Sequence, residues 1–214
     1  IPPTGDPHFY RLTPKDLQAI SNAEIVFHNG FYLTPAALRL STKAPVVAVA
    51  EKSMPSYQGK DPHVWHDPNN ISAMATTIEQ SLVKFLPRSA ISGLNSRTES
   101  TKTVLKDLSG WIAAQFRSIP TQSRVLVTQH RAFSHLTDAY NLRELPIIDS
   151  FATGGTLRPS SLAKIVSEIQ KSGSRVLFAE SFPISKTLRR LSRFSGVPVG
   201  NSPLYADGLA PGGL

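Results

Sequence analysis

Residues 124–148 run RVLVTQHRAFSHLTDAYNLRELPII, and this stretch decides the fold class of the second half of the chain. A β-branched run at residues 124–128 is followed by helix-compatible sequence at residues 132–140 and by a short apolar run at residues 146–148. A strand, a helix and a strand in this order are typical of a parallel βαβ unit. We therefore predict a parallel sheet with helices packed on it.

The same alternation continues toward the C terminus. Four apolar residues at helical spacing predict an amphipathic helix at about residues 160–171; they are Leu162, Ile165, Val166 and Ile169. A strand at residues 175–179, a helix at about 185–194 and a last short strand at 197–199 are predicted to follow. We expect residues 121–214 to form one α/β lobe.

The first half shows a similar but shorter pattern. Thr13 can cap a helix, Pro14 fits its first position, and Asp16 suits its positive end. Strands are predicted at residues 23–27 and 46–49, and a helix at about residues 68–85. We expect residues 1–88 to form an N-terminal α/β lobe that is incomplete at its start.

A long helix is predicted between the two halves. Apolar residues recur at intervals of three and four through residues 104–116, and Ile119-Pro120 can end the helix. Residues 89–120 are thus interpreted as a connecting segment, with its helix at about residues 89–117. The predicted fold class is α/β: two lobes with parallel sheets flanked by helices, joined by one long connecting helix.

Composition narrows the function classes. The 214 residues include no cysteine, which excludes thiolate metal sites and cysteine nucleophiles. No run of 18 or more apolar residues occurs, so no segment is predicted to cross a membrane. The net charge of +8 is spread along the chain, with its densest group at Arg189, Arg190 and Arg193. Without a glycine-aromatic motif or a recognition helix, we interpret this charge as a solvated basic surface and expect no nucleic-acid partner.

Three histidines occupy similar positions, each in a predicted loop shortly before a predicted helix. His8 and His63 both end the tripeptide Asp-Pro-His, and His130 directly follows the strand at residues 124–128. The positive end of a helix disfavours imidazolium, and a metal needs the neutral imidazole. Loops at the carboxyl ends of parallel strands are also where open α/β sheets bind ligands.

Asp207 is the best carboxylate candidate, because it follows the last predicted strand. Three imidazoles and one carboxylate suit zinc, manganese or iron. These four residues are scattered over most of the chain, so their spacing alone is much less specific than a compact metal-binding motif.

The remaining histidines have simpler interpretations. His28 ends an apolar run and is expected to pack at the end of a strand. His135 lies on a different helical face from His130 and is expected to pack or to be solvated. His66 lies shortly before the next predicted helix. It is expected either to lie at the surface or to support a metal ligand without binding the metal itself.

Three carboxylates allow two interpretations each. Asp6 and Asp61 could support neighbouring ligands or form turns, and we favour turns. Glu180 could touch the site or only cap the following helix.

Four stretches resemble the manganese- and zinc-binding solute-binding proteins of bacterial ABC importers. They are DPHFYRLTPKDLQAISNAEIVFHNG at 6–30, DPHVWHDPNN at 61–70, TQHRAFSHLTDAYNL at 128–142 and SPLYADGLAPGG at 202–213. They occur in the family's order and are distributed nearly from one end of the chain to the other. The resemblance implies that His8, His63, His130 and Asp207 bind one divalent metal ion, two from each lobe, in a site between the lobes.

The same resemblance implies a function and a location. The expected cargo is Mn²⁺ or Zn²⁺, captured in the periplasm or at the cell surface and delivered to the membrane permease of an ABC importer. The protein would be a monomer, peripheral to the membrane at most, and not an enzyme. Three departures from the family are visible. Only the tail remains of the strand, helix and second strand that precede the family's first Asp-Pro-His tripeptide, and the family's C-terminal helix has no counterpart here. Residues 56–60 stand where many zinc-specific members carry a histidine-rich loop.

Two alternatives remain open at this point. A zinc-dependent hydrolase would use His63, His66 and His130, with Glu180 or Asp207 as general base. A surface adhesin is the other alternative, since some relatives are credited with attachment.

Overall fold

The computed structural model describes residues 1, 5–153, 157–181 and 183–209. Residues 210–213, the end of the fourth resembling stretch, lie outside this part. The described chain forms two compact units. Unit 1 lies within residues 7–111, and unit 2 lies within residues 112–209 and includes Gly5 and Asp6. Each unit is an α/β structure built on a parallel sheet.

Unit 1 contains two short parallel strands and several helices. Its elements are α1 (Pro14–Ser21), β1 (Val26–His28), β2 (Val46–Ala48), α2 (Val49–Ser53), α3 (Pro68–Leu82) and most of α4 (Arg88–Arg117). In the sheet, Val26 lies opposite Val46 and His28 lies opposite Ala48. The predicted second strand therefore ends earlier than expected, because Val49 already begins helix α2.

Local capping explains where two of these helices begin. The Thr13 hydroxyl accepts from the Asp16 N–H, and the Asp16 carboxylate accepts from the Thr13 N–H, which forms a capping box at α1. Helix α3 begins after Asp67, whose side chain accepts from the Asn69 N–H. The sequence predicts a cap at Thr13 and a helix from about residue 68, and the structure confirms both helix starts.

Unit 2 contains the βαβ unit predicted from residues 124–148. Its elements are β3 (Val125–His130), α5 (Ser134–Tyr140), β4 (Arg143–Ile148), α6 (Pro159–Ser172) and α7 (Lys186–Ser195). Strands β3 and β4 are parallel, with Val125 opposite Arg143. Parallel bridges join Val127 to Leu177 and Leu177 to Val199. The predicted strands at residues 175–179 and 197–199 are thus reduced to single bridges.

The core of unit 2 lies between this sheet and its helices. Leu177, Ile169 and Leu188 are fully buried and belong to one apolar cluster with Val127. At about 25 cal/mol per Å² of buried apolar surface, such side chains supply most of the favourable free energy of folding. This packing holds the carboxyl ends of the strands of unit 2 in fixed positions. The candidate ligands of unit 2 lie at or after those ends in the chain.

Helix α4 is 30 residues long and contains the boundary between the units, after Trp111. The structure confirms the predicted long helix to within one residue at its start. Its apolar positions are less buried than a core helix would require, with Val104 65% exposed. The predicted division into residues 1–88, 89–120 and 121–214 remains a prediction. Within the described residues, no helix is both long and apolar enough to cross a membrane.

Candidate metal site

The imidazole of His63 is fully buried and is held by the carboxylate of Asp61. Asp61 Oδ1 lies 2.6 Å from His63 Nδ1 and also accepts from the His63 backbone N–H at 3.0 Å. An ionised carboxylate only accepts, so Nδ1 carries the proton and Nε2 presents its lone pair. This tautomer leaves Nε2 as the nitrogen that can bind a metal ion.

His8 lies beside His63 in unit 1. The two Nε2 atoms are 3.2 Å apart, and the ring planes are tilted by 56°. His8 follows Pro7, which is buried, and His8 itself is half-buried. Unit 1 therefore brings together the two histidines that end the Asp-Pro-His tripeptides.

Unit 2 orients His130 by a similar arrangement. His130 is the last residue of β3, not a loop residue as predicted, and it is 1% exposed. Glu180 Oε2 lies 2.6 Å from His130 Nδ1, and Oε1 accepts from the backbone N–H groups of Gln129 and His130. The contact again leaves Nε2 as the atom available to a metal.

Asp207 provides the second candidate ligand of unit 2. Its Oδ2 atom lies 3.4 Å from His130 Nε2, and its side chain is 10% exposed. Both residues line a cleft of about 640 Å³, together with Asp6, Glu180 and Tyr205. The two candidate ligands of unit 2 therefore lie in the wall of one cleft.

Both pairs have the spacing of ligands on one metal ion. Two nitrogen atoms at about 2.0–2.1 Å from a tetrahedral zinc ion are about 3.3–3.4 Å apart. The separations are 3.2 Å between His8 and His63 and 3.4 Å between His130 and Asp207. Each unit thus carries two of the four ligands predicted from the sequence, at a distance that permits joint coordination.

The carboxylates correct part of the sequence interpretation. Asp61 does form a turn, since its Oδ1 accepts from the N–H two residues later, but the turn-only interpretation is wrong because the same oxygen holds the imidazole. Asp6 contacts the hydroxyl of Thr153 within unit 2. Glu180 contacts His130, whereas Ser185 caps helix α7, so Glu180 belongs to the site.

Of the other histidines, His28 lies at the end of a strand as predicted, and the interpretations of His66 and His135 remain predictions. His28 ends β1, and burial lowers its pKa while the Glu51 carboxylate opposes this shift. His66 is half-buried directly before the residue that caps α3, with its ring near Trp65. His135 lies on α5 and is half-buried.

Comparison with known proteins places this protein in the class of metal-capturing proteins of uptake systems. The chain belongs to the family described as zinc-uptake complex component A, periplasmic, whose model matches residues 1–213.

Individual relatives carry different metals in their names. The chain is 26% identical over 218 residues to the manganese-binding lipoprotein MntA of Halalkalibacterium halodurans, covering 98% of this chain and 71% of the relative. It is 25% identical to the iron-binding protein YfeA of Yersinia pestis, covering 97% of this chain and 69% of that one. The structure of the periplasmic zinc-binding protein TroA of Treponema pallidum superimposes with a TM-score of 0.86, at 25% identity, covering 98% of this chain and 80% of that chain.

These matches confirm the predicted family, its α/β fold and its extracytoplasmic location. They also confirm that the chain is a transport protein and not an enzyme, because the relatives named here are binding proteins. Capture of a metal ion for import is therefore the function of this class. The hydrolase alternative is set aside by the same matches.

Proposed function

We propose that the protein captures one Mn²⁺ or Zn²⁺ ion outside the cytoplasm and delivers it to the permease of an ABC importer. His8, His63, His130 and Asp207 supply the four ligands. Three nitrogens and one carboxylate oxygen satisfy the coordination that zinc prefers and that manganese accepts. Four protein ligands suit capture, whereas a catalytic metal normally keeps a position for water.

The observation that carries this proposal is the matched pair of carboxylate–imidazole contacts. Asp61 and Glu180 each hold an Nδ1 atom at 2.6 Å, so the two Nε2 atoms are both prepared for a metal. A histidine with only a structural role needs a hydrogen-bond partner, but either ring nitrogen can carry the proton. A structural role therefore gives no reason for His63 and His130 to have the same tautomer. The repeated arrangement therefore supports ligand function for both histidines.

The metals named in the relatives differ, so the cargo must be decided by measurement. Isothermal titration calorimetry with Zn²⁺ and with Mn²⁺ should each give one ion bound per chain. Alanine at any one of the four proposed ligands should weaken binding strongly, because each removes one of four bonds to the ion. His135→Ala is the matched control, since His135 lies on α5 and is not among the four.

Two results would overturn the assignment. Unchanged affinity in one ligand variant would remove that residue from the site. Loss of affinity in His135→Ala equal to that in His63→Ala would show that the titration reports general destabilisation. Delivery is tested separately, by metal uptake in cells that carry the permease with wild-type protein or with His63→Ala.

A further inference from the structure

Helix α7 carries an unusual concentration of positive charge on one face. Lys186, Arg189, Arg190 and Arg193 are all exposed, and the helix contains no acidic residue. At 100° per residue, these four positions and Phe194 fall within an arc of about 140°. Leu188, Leu191 and Ser195, which are buried, occupy the opposite side. We call the five exposed residues the basic face.

Most of the charge on the basic face does not stabilise the helix itself; the exception is Arg193, which lies in the last turn, where a cation is favoured. Like charges three and four residues apart repel one another, and Lys186 stands at the positive N-terminal end of α7. Within the described part of the chain, no ion pair involves any of the four cations. Glu168, the acidic residue of the adjacent helix α6, lies 3.8 Å from Lys164 instead. Within the described residues the basic face is therefore open to an external anionic partner.

We infer that the basic face binds the surface of an anionic phospholipid bilayer. Phosphate headgroups supply the complementary charge. Phe194 is 52% exposed at the end of the same face, where an aromatic ring can enter the boundary between headgroups and acyl chains. Nucleic acid would match the charge, but the family's periplasmic location keeps the protein away from it. Bilayer binding is independent of metal capture and would hold the protein near a membrane in either metal state.

The test is co-sedimentation of the full chain with vesicles of phosphatidylcholine containing about one third phosphatidylglycerol, at about 0.1 M salt. Wild-type protein should bind these vesicles and not vesicles of phosphatidylcholine alone. Glutamine at all four cations of the basic face should weaken binding about a hundredfold or more, since each cation near the surface contributes about fivefold. Phe194→Ala should weaken binding by about tenfold at most, because one aromatic side chain contributes less than the four charges together.

The control variant removes the same net charge elsewhere. Glutamine at four exposed cations of unit 1, namely Lys15, Lys84, Arg97 and Lys106, should leave vesicle binding close to wild type. Circular dichroism of each variant verifies folding. The proposal is overturned if the control variant loses as much binding as the basic-face variant, or if wild-type protein fails to bind anionic vesicles, whatever nucleic acid or acidic protein it binds instead.

Discussion

The carboxylate of Asp61 contacts His63 twice, through the imidazole Nδ1 at 2.6 Å and through the backbone N–H at 3.0 Å. One oxygen thus fixes both the turn of the backbone and the orientation of the ring. Glu180 orients His130 in a similar way but uses both oxygens. One contacts the imidazole, and the other accepts from two backbone N–H groups.

Removing either carboxylate should weaken metal binding without removing a ligand. We expect Asp61→Asn and Glu180→Gln each to reduce metal affinity by about 10–100-fold, because the imidazole loses the charged partner that sets its tautomer. Calorimetric titration measures this. Asp149→Asn is the control, since Asp149 is exposed and pairs with Arg131 rather than with a candidate ligand. Affinity within twofold of wild type in both site variants would show that the carboxylates serve only the local backbone.

Zinc should bind more tightly than manganese in solution. The proposed ligand set has three nitrogens, and affinity at such sites rises from Mn²⁺ to Zn²⁺ in the Irving–Williams order. Competition titration of manganese-loaded protein with zinc measures the ratio. Complete retention of manganese against equimolar zinc would contradict the proposed set of ligands.

Glu144 should be a major stabilising residue of unit 2. Its buried carboxylate accepts from the N–H groups of Ala132 and Phe133 and from the Ser134 hydroxyl, so it holds the segment that follows His130. Glu144→Gln should lower the free energy of unfolding by about 1.5–3 kcal/mol.

Asp149→Asn offers a matched comparison, because Glu144 and Asp149 both pair with Arg131. Asp149 is 76% exposed, so its loss should cost less than about 1 kcal/mol. Urea unfolding of both variants measures the difference. Equal costs would mean that the ion pair with Arg131, not the backbone contacts, makes Glu144 important.

The carboxyl group of Asp16, in the capping box of α1, should titrate at unusually low pH. Hydrogen bonds from the Thr13 backbone N–H, the Tyr10 hydroxyl and the Thr13 hydroxyl lower the pKa of Asp16 to about 2 from 3.8. Because the folded pKa is lowered, this carboxylate stabilises the folded state fully above pH 3.8, and the contribution is lost as the pH falls toward 2. An NMR titration should give a midpoint near 2, and Tyr10→Phe should raise it. A wild-type midpoint at the ordinary value would rule out the box in solution.

His28 should make the stability of unit 1 sensitive to mild acid. Burial lowers its pKa below the ordinary value of 6.5, so the unfolded chain takes up a proton at a pH where the folded chain resists it. The free energy of unfolding should therefore decrease as the pH falls through 6.5, and His28→Gln should reduce this decrease. Urea unfolding at neutral and mildly acidic pH measures it, with His135→Gln as the comparison. An identical pH dependence in wild type and His28→Gln would contradict the assignment.

The helices could be predicted from the sequence because their determinants are local. Thr13 and Asp16 form a capping box three residues apart, and the apolar spacing through residues 104–116 lies within one helix. Strand length depends on partners that are distant in the chain. Leu177 pairs with Val127 and Val199 only at single bridges, and the apolar run at residues 175–179 cannot indicate how far that pairing extends.

The candidate ligands could be named from the sequence, but the residues that orient them could not. Asp61 lies two residues from His63, and a turn-forming aspartate and an imidazole-binding aspartate have the same local sequence. Glu180 lies 50 residues from His130, and only the adjacency of the Leu177 bridge to β3 brings the two together. The sequence placed Glu180 at the end of a strand and left its partner open.

The two contacts should therefore appear at different moments during folding. Closing the loop between Asp61 and His63 costs little entropy, so this contact can form transiently while unit 1 is still unfolded. The contact between Glu180 and His130 must wait until the sheet of unit 2 has assembled, since pairing of distant segments is slow. A newly exported chain would then orient the imidazole of His63 before that of His130. Full affinity for metal would follow only when both units have folded, since His8 also lies 55 residues from His63.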